Sequence, residues 1–212
     1  MKKVLLSIIS VVLMVFLPLL RNPSLVLHPK IIVIIIGSVC VWLTQPAFSA
    51  AETSAKKQSD KFSVILILTM SLISGVVPII DWAYFNTDKN NFSWMTVFGV
   101  VMIVSGILFR AWSVKTLGIY FTPTVQIKEE HQLINTGPYK IIRHPSYFAA
   151  FLSITGAAVL LESITGIAVS IIAMSIAYYV RINIEERTLL DHFGNRYKEY
   201  MLRTKKIIPF VF

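Results

Sequence analysis

Two short stretches combine residue types that could do chemistry with positions at the edges of apolar runs. Residues 143–147 read Arg-His-Pro-Ser-Tyr and directly precede the apolar Phe148; residues 181–187 read Arg-Ile-Asn-Ile-Glu-Glu-Arg and directly follow another apolar run. Arg181 and Glu185 are four apart, so on a helix they share one face, which Tyr178 and Leu189 continue. An arginine at membrane depth is a functional candidate, and its planar fork can hold a carboxylate by two hydrogen bonds. The same spacing also suits a salt bridge that snorkels at a helix end and does no chemistry. Pro145 fits the first turn of a helix, where its missing N–H costs nothing. His144 would then sit at the cap, with backbone N–H groups at 146 and 147 offered to an anionic group. Arg143 and His144 serve equally well as anchors among lipid headgroups, and spacing alone leaves both readings open. Glu186, Arg187, Arg196 and Lys198 fit a solvated amphipathic face.

Several other chemistries lack their signals. No Gly-x-Gly-x-x-Gly follows a strand pattern, so a Rossmann-type methyltransferase or dehydrogenase is unsupported. The four histidines, at 28, 131, 144 and 192, form no His-x-x-x-His pair, and Cys40 is the only cysteine, so no metal centre is expected. Ser146, His144 and Asp191 could be assembled into a hydrolase triad, but no strained elbow supports one.

These residues need a membrane scaffold to hold them. Of 212 residues, 55% are hydrophobic and 15% charged, whereas soluble domains carry about 25% charged residues. Apolar stretches at 4–20, 31–48, 62–80 and 95–114 each approach the ~20 residues that a bilayer core requires. The longer region 147–180 is notched at 161–166, where Glu162 and Gly166 suggest a tight turn between two helices. The expected fold is all-α and polytopic, with five to six transmembrane helices that include a carboxyl-terminal hairpin. Residues 1–114 would be scaffold and access route for a lipophilic substrate, and residues 115–212 the catalytic region. Lys2 and Lys3 before the first run resemble a signal peptide, and residues 47–52 resemble a cleavage site. The run is long and the second site lies too deep, so both helices are expected to be retained.

The net charge of +9 invites a nucleic-acid partner, but the basic residues lie between apolar runs rather than in one patch. They fix topology instead. Lys2, Lys3, Lys56, Lys57, Lys61, Lys115, Lys128, Lys140, Arg143 and the tail from Arg187 to Lys206 fall on one side, which predicts cytoplasmic termini and a cytoplasmic pocket. Arg21 and Lys30 fall on the other side and weaken that pattern.

The segment 131–147, His-Gln-Leu-Ile-Asn-Thr-Gly-Pro-Tyr-Lys-Ile-Ile-Arg-His-Pro-Ser-Tyr, is followed by a hairpin. After it come 181–200, beginning Arg-Ile-Asn-Ile-Glu-Glu-Arg, and the later Ile-Ile-Pro. Over about 115–209 this plan resembles the isoprenylcysteine carboxyl methyltransferase family and, more loosely, membrane phospholipid methyltransferases. The resemblance implies an S-adenosylmethionine (SAM) pocket, with S-adenosylhomocysteine as product. It assigns His131, Gln132, Leu133 and Ile134 to the cofactor, with Tyr139, His144, Pro145, Ser146 and Tyr147. Gln126, counted forward from Phe121, matches a further cofactor contact, though the stretch from there to His131 is shorter than in eukaryotic members. Ala149 stands where the family commonly has glycine. Glu185 would hold the cofactor's methionine moiety, and Arg181 would orient the acceptor's carboxylate, with Glu185 neutralising Arg181 when the acceptor is absent.

The implied activity is methyl transfer to a lipophilic, isoprenylcysteine-like carboxylate, giving an ester. The alternatives are methylation of a phospholipid amine or other small lipophilic acceptor, and a membrane scaffold or transport-associated protein without chemistry. An amine would need a base and would find Arg181 a poor neighbour. Oligomeric state is not inferable.

Overall fold

The computed structural model describes residues 2–45, 58–122 and 132–208. Seven α-helices among the described residues follow in order: α1 (Lys2–Val11), α2 (Pro29–Leu43), α3 (Gln58–Ile80), α4 (Trp94–Leu117), α5 (Pro145–Leu160), α6 (Ile164–Phe193) and α7 (Asn195–Arg203). Among the described residues the only strand-like pairing is one parallel bridge, Ile142 to Lys205. The chain is an all-α, polytopic membrane protein. Three helical stretches among the described residues, 60–85, 94–120 and 164–193, are long and apolar enough to cross a bilayer, and shorter apolar helices lie at 5–16, 29–43 and 145–160.

Local sequence sets most of the boundaries. Pro29 and Pro145 open their helices from the first turn, where no N–H is needed. Ser93 and Ser163 cap α4 and α6 by accepting from the backbone N–H of Met95 (3.1 Å) and Gly166 (2.8 Å). The hairpin turn is therefore tighter than its sequence suggests. It occupies Leu161 to Ser163, and Gly166 already belongs to α6, where a Cβ would stand 2.6 Å from the Pro78 ring of α3. α6 continues beyond the expected membrane edge to Phe193, so Arg181, Glu185 and Glu186 ride on one rigid helix.

Packing is closest between α4 and α5. At Gly99 a Cβ would run into the Leu160 backbone nitrogen, and at Gly106 it would lie 2.7 Å from the Ala149 carbonyl oxygen. Backbones this near each other need small residues, the usual solution where lipid removes the hydrophobic drive for helix association. Outward faces carry exposed Ile36, Leu68, Val101, Leu108 and Ile172, a surface suited to acyl chains rather than water.

The two ends of the bundle differ. At the end holding the hairpin turn, Val15, Leu19, Ile31, Ile79, Trp82 and Leu161 form a dry core. Beside it Lys30, 2% exposed, pairs with Glu162 at 3.0 Å, and Thr96 donates to the same oxygen at 2.7 Å. Burial alone would raise the Glu162 pKa, but the hydrogen bonds from Thr96 and Lys30 outweigh it and hold the carboxyl below its ordinary value. Lys30, which stands against the charge bias in the sequence, is thus neutralised inside the protein. The other end holds the polar residues of the two motifs.

Gly99→Ala forces a methyl group into the Leu160 backbone, and overpacking of this kind costs about 1–3 kcal/mol. Thermal unfolding in detergent is expected to show a lowered Tm for Gly99→Ala, and no loss for alanine at the lipid-facing Val101.

Candidate active site

At the polar end, α5 begins beneath a short helical turn, Gly137–Lys140, while α6 and α7 close from the side. Between them lies a cleft with about 820 Å³ of empty space, part of it open to solvent. Its walls include Gln132, Leu133, Ile134, Tyr139, His144, Ser146, Tyr147, Arg181 and Glu185. Of the residues singled out in the sequence, Pro145 is buried in the first turn of α5 and is not part of the wall. Gln126 and His131 lie outside the described residues. Arg143 also lines the cleft, as does Leu189 on the face that helical spacing assigns to Arg181 and Glu185, while sequence reasoning missed Leu117, Tyr120, Phe121, Thr122, Phe193, Tyr197 and Tyr200.

Tyr139 is held by its own backbone, whose carbonyl accepts from the Tyr200 hydroxyl at 2.7 Å. Burial pushes the Tyr139, Tyr197 and Tyr200 phenols upward. At neutral pH they are uncharged aromatic walls and donors.

Arg181 and Glu185 face the same cleft but do not pair with each other as their spacing suggests. Arg181, 4% exposed, donates from Nη1 to Asp60 Oδ1 (2.5 Å) and Ser63 Oγ (2.9 Å), both on α3. Its Nε donates to the Tyr147 hydroxyl at 3.3 Å, and that hydroxyl donates to Glu185 Oε2 at 2.8 Å. Tyr147 therefore stands between the two, and a carboxylate from a distant helix takes the guanidinium. Asp60, in the first turn of α3, sits where a helix favours a negative charge. An acid opening an apolar run is the counterpart of the signal that singled out Arg181, and it could have been read from the sequence.

Glu186 overturns the expectation of a solvated face. It is 8% exposed and accepts from Arg143 Nε at 2.8 Å, with Lys206 Nζ 3.2 Å from its second oxygen. His144 Nε2 lies 3.2 Å from Oε1. The reason is the returning tail. The Arg143 N–H donates to the Lys205 carbonyl (2.8 Å) and the His144 N–H to the Lys206 carbonyl (3.1 Å), which lays residues 204–206 along 141–144 and over this face of α6. Arg143 also donates to the Met201 and Thr204 carbonyls, so its part is to fasten the tail. Arg187, Arg196 and Lys198 are exposed as expected.

Arg110, also unread in the sequence, is buried in α4 below the cleft. It donates from Nε to Thr44 Oγ1 (2.9 Å) and from Nη1 to the Ser146 carbonyl (2.8 Å), and its guanidinium lies over the Phe121 ring. It ties α2 and α4 to the start of α5.

Removing Glu186 strands the largely buried Arg143 guanidinium and takes the anion from the partly exposed Lys206, and breaking a buried pair in this way costs about 3–5 kcal/mol. Glu186→Ala is expected to lower Tm and to lose amide-exchange protection over residues 204–206 first, whereas alanine at exposed Arg187 leaves both unchanged.

Known proteins share both the sequence and the shape. The family model described as the isoprenylcysteine carboxyl methyltransferase (ICMT) family matches residues 99–191. Protein-S-isoprenylcysteine O-methyltransferase B of Arabidopsis thaliana is 34% identical over 143 residues, which are 66% of this chain and 72% of the relative. The Dictyostelium discoideum protein-S-isoprenylcysteine O-methyltransferase is 30% identical over 80% of this chain and 70% of its own length. A solved structure of the eukaryotic intramembrane Ras methyltransferase ICMT superposes with a TM-score of 0.67 at 23% identity, over 99% of this chain and 75% of the other. That likeness extends the shared fold to the amino-terminal helices.

Proposed function

The chain belongs to the isoprenylcysteine carboxyl methyltransferase family, and from that premise we propose that its cleft joins SAM to the carboxylate of a lipophilic, isoprenylcysteine-like acceptor. The protein is an integral-membrane methyltransferase. The observation that carries the finer reading is the convergence of Arg181, Tyr147 and Glu185 on one cleft at the edge of the apolar bundle.

The cleft fits the group. Glu185 offers a carboxylate to an ammonium, and the first turn of α5 offers backbone N–H groups to a carboxylate. The rings of Tyr139, Tyr147, Tyr197 and Tyr200 offer faces to a cationic sulfur or a purine. When bound, SAM supplies a methyl group on a positively charged sulfur, open to in-line displacement.

The protein's own contribution is alignment and exclusion of water. An ionised carboxylate is already a nucleophile at neutral pH, so no strong base is required. Arg181 remains charged and holds the acceptor oxygen toward the methyl group. Tyr147 keeps Glu185 from pairing with Arg181, leaving the anionic and cationic positions distinct. Exposed apolar faces of the helices give a prenyl-like tail a route to the cleft through the bilayer. Residues 115–208 supply most of the walls, while α3 supplies partners to Arg181. The bias of lysine and arginine toward this end supports a cytoplasmic site and cytoplasmic termini.

Membranes given methyl-labelled SAM are expected to yield a lipid-extractable product that releases volatile methanol in alkali. A base-stable label would mean an amine or thiol acceptor and would sink the carboxylate reading. Arg181→Ala is expected to abolish turnover while SAM affinity by titration calorimetry stays within a few-fold. Glu185→Ala is expected to weaken SAM about ten- to a hundredfold, the loss of one charged hydrogen bond.

A further inference from the structure

Arg181 is the residue on which acceptor recognition turns, and yet a protein carboxylate already holds it. Asp60 is 5% exposed and Ser63 fully buried, and both contact Nη1. Neither is part of the cleft wall, whereas Arg181 is. The pair therefore grips the guanidinium from behind, from α3, while the cleft meets it from the front. Ser63 is fixed in turn, its hydroxyl donating to the Asp60 carbonyl at 2.9 Å.

A buried ion pair is a weak source of stability, because desolvating two charges offsets most of their attraction. Its electrostatic effect on a third charge is large, however, because the surroundings screen little. A guanidinium that shares its charge with Asp60 holds another carboxylate less tightly than an unshared one. For this reaction a weaker hold is useful. The acceptor oxygen must be oriented by Arg181, but it must also keep the electron density with which it attacks.

We propose that Asp60 is a positioning residue that acts through Arg181: it fixes the guanidinium from behind and tempers its charge, so that the acceptor carboxylate is aligned without being quenched. The inference rests on the reading of Arg181 as the acceptor's partner. It separates charge from geometry, because the product ester carries no charge for Asp60 to compete with.

The test compares the affinities of a soluble S-prenylcysteine with a free carboxylate and of its methyl ester, in detergent, for wild type, Asp60→Asn and Ser63→Ala. Asp60→Asn is expected to bind the carboxylate about tenfold more tightly, leave the ester unchanged and lower kcat. Ser63→Ala, which removes a neutral partner from the same nitrogen, is expected to shift the carboxylate-to-ester ratio the same way by about twofold. If Asp60→Asn does not fold, Ser63→Ala decides by its direction. A ratio that stays level, or falls, in the folded variants means that α3 serves geometry alone, and the proposal is overturned. Arg181→Ala separates this failure from that of the underlying reading. Should it bind carboxylate and ester as wild type does, Arg181 is not the acceptor's partner, whatever Asp60 does.

Discussion

A single carboxylate, Glu186, organises the polar end of this protein. Buried on α6, it draws in Arg143 from before α5 and Lys206 from the tail, and lies against the His144 ring. The three segments come from well-separated parts of the chain. Without a common anion their positive groups would repel, and the loop carrying Tyr139 and the start of α5 would lack a fixed relation to α6. The cleft exists because those elements are held in register. Arg181 and Glu185, one turn earlier and at the preceding residue, inherit their positions from that clasp.

The remainder of the scaffold solves a different problem. In lipid, apolar side chains gain little by leaving their surroundings, so the helices associate through close contact and a few hydrogen bonds. Gly99 and Gly106 let α4 approach α5, Gly166 lets α6 approach Pro78 of α3, and Arg110 spans three helices. These contacts fix the α5 amino terminus against α4 and set α3 beside α6. The second of these brings Asp60 to Arg181. Tight packing remote from the cleft is thus what determines the partner of its central cation.

Much of this was legible in the sequence. The apolar runs mark the helices because a bilayer demands length and uniform hydropathy, a strong signal over many residues. Of the cleft residues, His144, Ser146, Tyr147, Arg181 and Glu185 stood out by type and position, whereas Gln132, Leu133, Ile134 and Tyr139 came only through the family resemblance that the two ordered motifs carry. What escaped was pairing at a distance. Helical spacing permits Arg181 to meet Glu185, but it cannot register that Asp60, 121 positions earlier, offers a partner from the adjacent helix. Glu186 was misread because periodicity describes one helix at a time, and the face it marks as polar is covered by the tail. The turn at 161–163 is tighter than expected because Ser163 caps α6 at once and frees Gly166 for packing.

The pairing of residues 141–144 with 204–206 also bears on how the molecule comes into being. Synthesis runs from amino to carboxyl terminus, so α5 and α6 are in place before Lys205 and Lys206 arrive to complete the clasp. Until then Glu186 lacks Lys206, one of its three partners, and the cleft lacks its outer fastening. The cleft therefore gains this fastening only after the apolar helices before it have been made.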